Sequence, residues 1–176
     1  MAKLLLECLQ DYQLRNKRAP QELIVFHNDC TQDQVSLFNK IFILSAKEKI
    51  NQILGQNIPI TLVMINTKTS ERFFARKGDR IENVEAGTLI NQDVVSENYE
   101  FFLISQKANK GTAVPNHYRV IYSDSKLQEG YLQEIIFSQC FAYFNWSGSI
   151  KVPAILQYAK KAAKFFAEVM VKVEKP

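Results

Sequence analysis

Residues 22–65 read ELIVFHNDCTQDQVSLFNKIFILSAKEKINQILGQNIPITLVMI. Two short runs rich in β-forming residues, Leu23–Phe26 and Ile60–Ile65, are apolar throughout instead of alternating. That is the pattern of strands covered on both faces. Between them, Val35, Phe38, Ile41, Phe42 and Ile50 recur at three- and four-residue steps, so the spacing predicts a helix over Gln34–Leu54. Gly55 stands where such a helix needs a stop, and Asp29–Asp33 is the polar turn that leads into it. Two continuous apolar strands joined through a helix are the repeating unit of an α/β sheet.

Upstream, residues 2–16 carry Leu5, Leu6, Leu9 and Tyr12 on one side of a further helix, which stops in the polar stretch Asn16–Pro20. Glu7, Gln10 and Asp11 interrupt its apolar residues, so an amphipathic helix is expected there, not a signal peptide. Downstream the rhythm changes. RFFA (72–75), GTLIN (87–91), YEFFLIS (99–105) and HYRVIYS (117–123) are short strand-like runs separated by polar loops at 76–85 and 107–112. Gly87 is placed for a tight turn before Thr88.

Two helices are expected to close the chain. Gln128–Tyr143 puts Ile135, Ile136, Cys140 and Phe144 on an apolar face. In the second, opened by Pro153, the residues Ile155, Ala159, Ala162, Phe166, Val169 and Met170 form a face expected to meet the core, with Lys160, Lys161 and Lys164 on the other side. Ser147 and Ser149 make the turn before it polar, and Lys151 reaches the helix N-terminus, where backbone N–H groups favour a phosphate.

Bulk properties bound the class. A chain of 176 residues with 47% hydrophobic and 23% charged residues suits one globular domain with a real core. The net charge is +4, and from Tyr143 onward six lysines face two glutamates, 6 − 2 = 4, so that segment alone carries the whole excess. Such a patch suits any polyanion. Cys8, Cys30 and Cys140 are widely spaced and form no C-x-x-C pair, which speaks against a disulfide framework or a zinc site and for a reducing compartment. A cytoplasmic or nuclear location is expected. No apolar run approaches the roughly 20 residues of a membrane span.

Six blocks then meet a family in order: P-x-E-L-I-V-F-H-N (20–28), R-F-F (72–74), G-T-L-I (87–90), Y-E-F-F-L-I-S (99–105), G-T-A-V-P-N-H-Y-R-V-I-Y (111–122) and V-P-A-I-L-Q-Y-A (152–159). Together the chain resembles the C-terminal part of the PIWI domain of Argonaute and Piwi proteins. N-W-x-G-x-I-x-V-P-A around Trp146, with Q-Y-A after it, is similar to the Piwi branch. The resemblance implies an α/β, RNase H-like mixed sheet flanked by helices, lacking the N-terminal strands of the full domain. It also implies a partial PIWI domain over residues 1–176 without PAZ or MID modules, binding of a small guide RNA and a paired target, and, in some members, Mg²⁺-dependent cleavage.

The departures matter as much. Slicing members hold two metal ions on carboxylates and a histidine, so that the cations stabilise both attacking and leaving oxygens. The family's second catalytic aspartate, in Y-R-D-G, falls on Asn28, and its catalytic histidine, after Y-A, falls on Lys160. A neutral amide is a poor ligand for a hard cation and an ammonium repels one. The first catalytic aspartate and a completing glutamate belong upstream of Met1 and are expected to be missing. Asp29, one step along the strand from Asn28, points to the opposite face while the strand lasts. His27 and His117 read as structural histidines, and no Ser-His-Asp or Cys-His constellation is visible.

What the resemblance retains is phosphate-binding equipment. By motif position, Tyr143, Lys151 and Gln157 fall where family members contact the guide 5′ end, Lys164 lies beside a further basic phosphate ligand, and Lys68 and Arg72 sit where the guide channel is lined. Each has a structural alternative, an ion pair for Arg72 and a core aromatic for Tyr143. The expected function is a guide-RNA-binding module in small-RNA silencing, without slicing and without a cofactor. The alternatives are an endonuclease using Mg²⁺ completed by a partner chain, and a fragment that docks on an Argonaute-type protein covering the missing part of the sheet.

Overall fold

A computed structural model describes residues 2–28, 43–96 and 99–173. The Asp29–Asp33 turn, Cys30 and the first half of the Gln34–Leu54 helix lie outside the described residues, as do the side chains of Met170, Lys172 and Lys175. The chain forms two compact units, Met1–Ile65 with Arg119–Lys126, and Asn66–Tyr118 with Leu127–Pro176.

In the first unit, α1 (Ala2–Asn16), β1 (Leu23–Asn28), α2 (Leu44–Leu54) and β2 (Ile60–Asn66) follow one another as the sequence predicts. β1 and β2 run parallel, Leu23 opposite Ile60 and Asn28 opposite Ile65. Gly55 ends α2 in a left-handed conformation at φ 66°, and its N–H donates to the Asn51 carbonyl at 2.9 Å. Ile60–Ile65 is buried at every position. β1 is only half-buried, because it stands last in the order β1-β2-β7, where β7 is Asn116–Ser123. Leu9, Ile43, Ala46, Ile50, Ile58 and Leu62 form the core, with Leu5, Leu6, Leu23 and Val25 against it.

A polar clamp ties this unit together. The Asp124 carboxylate, just past β7, accepts the Ile60 N–H at 2.7 Å and is ion-paired to Lys47 of α2. The Asp124 N–H returns to the Ile60 carbonyl at 3.2 Å. Partial burial favours a neutral Asp124, but the Lys47 and Ile60 donors outweigh it and hold the carboxyl below the ordinary aspartate range. Burial likewise works against the Lys47 charge, yet Asp124 keeps that ammonium above the usual lysine value.

In the second unit β7 continues the order β7-β6-β5, where β5 is Thr88–Ile90 and β6 is Glu100–Ile104. β5 and β6 are antiparallel, Leu89 opposite Leu103, so the strand pairs of the protein include both senses. Residues 76–85, read as a loop, instead contribute to a hairpin of β3 (Phe74–Lys77) and β4 (Arg80–Asn83), turning at Gly78 with φ 62°. Phe101 stacks on Tyr118 with centroids 5.0 Å apart, and Leu132, Ile136 and Cys140 are buried in the same unit.

Gly87 precedes β5 with φ 94°, and a Cβ there would meet Phe137 Cζ at 3.1 Å. Gly87→Ala is therefore expected to cost about 1–3 kcal/mol, from backbone strain and overpacking together. Thermal unfolding of that variant checks it; an unshifted midpoint would mean that Phe137 moves aside and the strain is absent.

α3 (Glu129–Gln139) stops a turn earlier than Tyr143, with Cys140 and Phe141 N–H groups returning to Phe137 and Ser138 carbonyls at 3.0 Å. Phe144, expected on its apolar face, is 94% exposed. α4 (Ala154–Val173) brings the larger correction. Ile155, Ala159, Ala162, Phe166 and Val169, expected to meet the core, are exposed. The helix is instead anchored by its first turn and the residues before it, Val152, Pro153, Ala154 and Leu156. Pro153 precedes the helix, and its carbonyl accepts the Leu156 N–H at 3.0 Å. Helical periodicity specifies a face but not whether another element covers it.

Candidate nucleic-acid interface

Lys151 lies in the second unit between the aromatic turn after α3 and the start of α4. Two polar side chains hold its backbone: Ser105 Oγ, just past β6, donates to the Lys151 carbonyl at 2.8 Å, and the buried Asn116 Nδ2, at the start of β7, donates to the same oxygen. Its ammonium donates to the Thr67 carbonyl at 2.8 Å. The segment beyond β2 is itself fixed, since Thr69 Oγ1 donates to the Pro115 carbonyl at 2.8 Å and Arg72 Nη1 donates to the carbonyls of Thr69 and Glu71 at 2.9 and 2.6 Å. Lys68 in that segment is exposed, and its N–H donates to Asn66 Oδ1 at 2.8 Å.

The electrostatics of this cluster are one-sided. Burial, and then the positive charges of Arg72 and Lys160, hold the Lys151 pKa below the ordinary lysine value. Among the described residues, none of Arg72, Lys151 and Lys160 forms an ion pair with a carboxylate. Backbone carbonyls satisfy donors here without cancelling charge. Lys151 also lines an open cleft of about 340 Å³ with Gln106, Lys107, Lys110, Thr112 and Val114. Sequence reading did not select Lys107 or Lys110; the only signal was two lysines in a loop already read as polar.

The remaining assigned residues differ in setting. Tyr143 is buried, packed at 5.2 Å from Tyr158, with Lys161 Nζ 5.0 Å from its ring centroid. Little of its ring is left open to solvent. Gln157 is half-buried in the first turns of α4. Lys164 is 80% exposed and pairs with Glu168 at 3.8 Å, one helical turn on. Lys164→Ala is accordingly expected to change RNA affinity by no more than about twofold, as an exposed, partly neutralised charge should. A filter-binding titration checks this; a loss of tenfold or more would place Lys164 in the phosphate contact.

His117 Nε2 is 3.3 Å from Glu100 Oε2, and its ring stacks on Phe102 with centroids 4.4 Å apart. Asn28 closes β1, its carbonyl 2.5 Å from His27 Nδ1. Asp29 lies outside the described residues. The two positions carried over from the family's metal set thus offer an amide, Asn28, and an ammonium, Lys160, whose charge adds to that of Lys151. These residues do not fit a divalent cation. Among the described residues no three His, Cys, Asp or Glu side chains gather as a metal group.

Parallel and antiparallel strands flanked by helices make this an α/β protein, and its match to solved Argonaute and Piwi structures gives it the RNase H-like fold. The same fold appears in the C-terminal lobe of a budding yeast Argonaute, 27% identical with a TM-score of 0.85, over 100% of this chain and 40% of that one. It also appears in Kluyveromyces polysporus Argonaute with a guide RNA, 29% identical with a TM-score of 0.80, over 90% of this chain and 21% of that one. The chain belongs to the Piwi domain family, whose model matches residues 1–171. Piwi-like protein 1 of Gallus gallus is 32% identical over 157 residues, 88% of this chain but only 18% of that relative.

Proposed function

We propose that this chain binds the phosphate backbone of a 5′-phosphorylated small guide RNA through Arg72, Lys151 and Lys160, with Lys107 and Lys110 continuing the path along the cleft. The observation that carries this reading is a half-buried lysine, lowered in pKa by burial and then by the charges of Arg72 and Lys160, with no carboxylate paired to the three among the described residues. A phosphate there would offset the repulsion and favour the charged form of Lys151. The solved relative with a guide RNA supports the ligand class. Contacts of this kind read backbone, so sequence selection would come from base pairing.

The proposed module does not cleave its target: an amide and an ammonium stand where slicing members need metal ligands, and no cofactor is required for binding. Its role would be in small-RNA silencing in the cytoplasm or nucleus. An endonuclease completed by a partner chain is disfavoured by the same two residues. A protein-docking role is favoured by a separate observation, the exposed Ile155, Phe165, Phe166 and Val169 along α4.

The test is a titration of one single-stranded RNA, with and without its 5′ phosphate, at two salt concentrations. Tighter and more salt-sensitive binding of the phosphorylated strand is expected. Binding of neither strand would overturn the reading and leave the docking role.

A further inference from the structure

We propose that the aromatic turn between α3 and α4 is a stacking platform for an unpaired base of the strand whose phosphate lies at Lys151. This rests on the RNA-binding reading above and adds a subsite to it. The turn is rigidly tied: the Trp146 N–H donates to the Tyr143 carbonyl at 3.1 Å, the Ile150 N–H to the Cys140 carbonyl at 2.8 Å, and the Phe144 N–H to Tyr158 Oη at 3.1 Å. On this fixed backbone Phe144 is 94% and Trp146 57% exposed. The indole lies against Gly148, where a Cβ would come within 3.3 Å of Trp146 Nε1.

A phenylalanine held almost wholly in water on a pinned turn forgoes the burial that normally stabilises it. A flat apolar partner would recover it. The surrounding charge selects which kind. Lys160 is close enough to Lys151 for its charge to be felt there, Lys161 sits over Tyr143, and Tyr143 packs on the Tyr158 that anchors Phe144. Tyr158, which holds Phe144, thus lies on the same stretch of α4 as Lys160 and Lys161. Aromatic faces beside a lysine track suit single-stranded nucleic acid, because every base has a π-face and every linkage a negative charge.

Trp146 is the only tryptophan in the sequence, so its fluorescence reports on this turn alone. The intact chain is titrated with a 5′-phosphorylated RNA and with a 5′-phosphorylated abasic oligonucleotide of equal length. The base-bearing strand is expected to quench Trp146 and bind about tenfold more tightly, and Phe144→Ala to remove most of that advantage while leaving the abasic affinity unchanged. Phe144 is almost fully exposed, so its removal does not threaten folding. Equal affinity for both strands, with the 5′-phosphate preference intact, would overturn the platform but not the phosphate site, and would assign the rings to a protein partner. Binding of neither would overturn both.

Discussion

Arg72→Ala combined with Lys151→Ala is expected to weaken binding of 5′-phosphorylated RNA about 100-fold at low salt. Each removes a charge-assisted hydrogen bond of about 1.5–3 kcal/mol, and the two groups are close enough for each to feel the other's charge. The slope of log affinity against log salt should fall by about one to two units, because two fewer counterion-releasing contacts remain. An affinity loss without a change in slope would mean a folding defect, since both side chains also anchor carbonyls. Lys151→Arg separates the two effects by keeping the charge, and it should preserve the slope.

The depressed Lys151 gives this binding a pH signature. Phosphate binds the protonated form, so affinity should be highest below the depressed pKa and fall as pH rises through it, earlier than for an ordinary lysine. Without ligand the sign for stability follows from proton counting: the unfolded chain holds this proton more tightly than the folded one, so stability rises with pH through that window. Phosphate and protonation of Lys151 should therefore support each other.

Asp124→Ala is expected to destabilise the first unit by about 2–3 kcal/mol in chemical denaturation. It removes an acceptor shared by the Ile60 N–H and Lys47, and leaves a partly buried ammonium without its counter-ion. The value stays below that of a fully buried pair because both side chains keep about a quarter of their surface in water, 25% and 29%. The Asp124 carboxyl is held below its unfolded value, so its contribution is complete above the ordinary aspartate range and is lost as pH falls through the depressed one. Asp124→Ala should flatten that acid limb. Asp124→Asn, which keeps an acceptor without the charge, should flatten it equally at a smaller loss of stability. An unchanged acid limb would mean that the clamp does not form in solution.

Much of the fold was legible because local pattern and tertiary role coincide. ITLVMI is apolar at every position and buried at every position, and Gly55 stops α2 in the left-handed conformation a glycine allows. Of the β3–β4 hairpin only the start was marked, through RFFA, and β4 was missed because ARK and RIEN are charged and mostly exposed, with no apolar alternation to mark a strand. At the site, motif order selected Arg72 and Lys151, which the fold brings together. It also selected Lys164, which pairs with its helical neighbour Glu168, and placed Lys160 only as a lost histidine, where the structure makes it a third cation.

The sequence by itself determined most of the strands and helices, the Piwi family and which residues stand at the positions matching the family's metal ligands. All of these depend on which side chains follow one another along the chain. Only the tertiary structure decided which faces are covered and which charges meet. The apolar stripe of α4 has the period of a core helix, yet no described element buries it, and Phe144 sits outside a helix whose end a few backbone hydrogen bonds decide. Lys107 and Lys110 share a cleft with Lys151 although some forty residues separate them in sequence. Burial and charge proximity arise between segments distant in the chain, and no local periodicity encodes them.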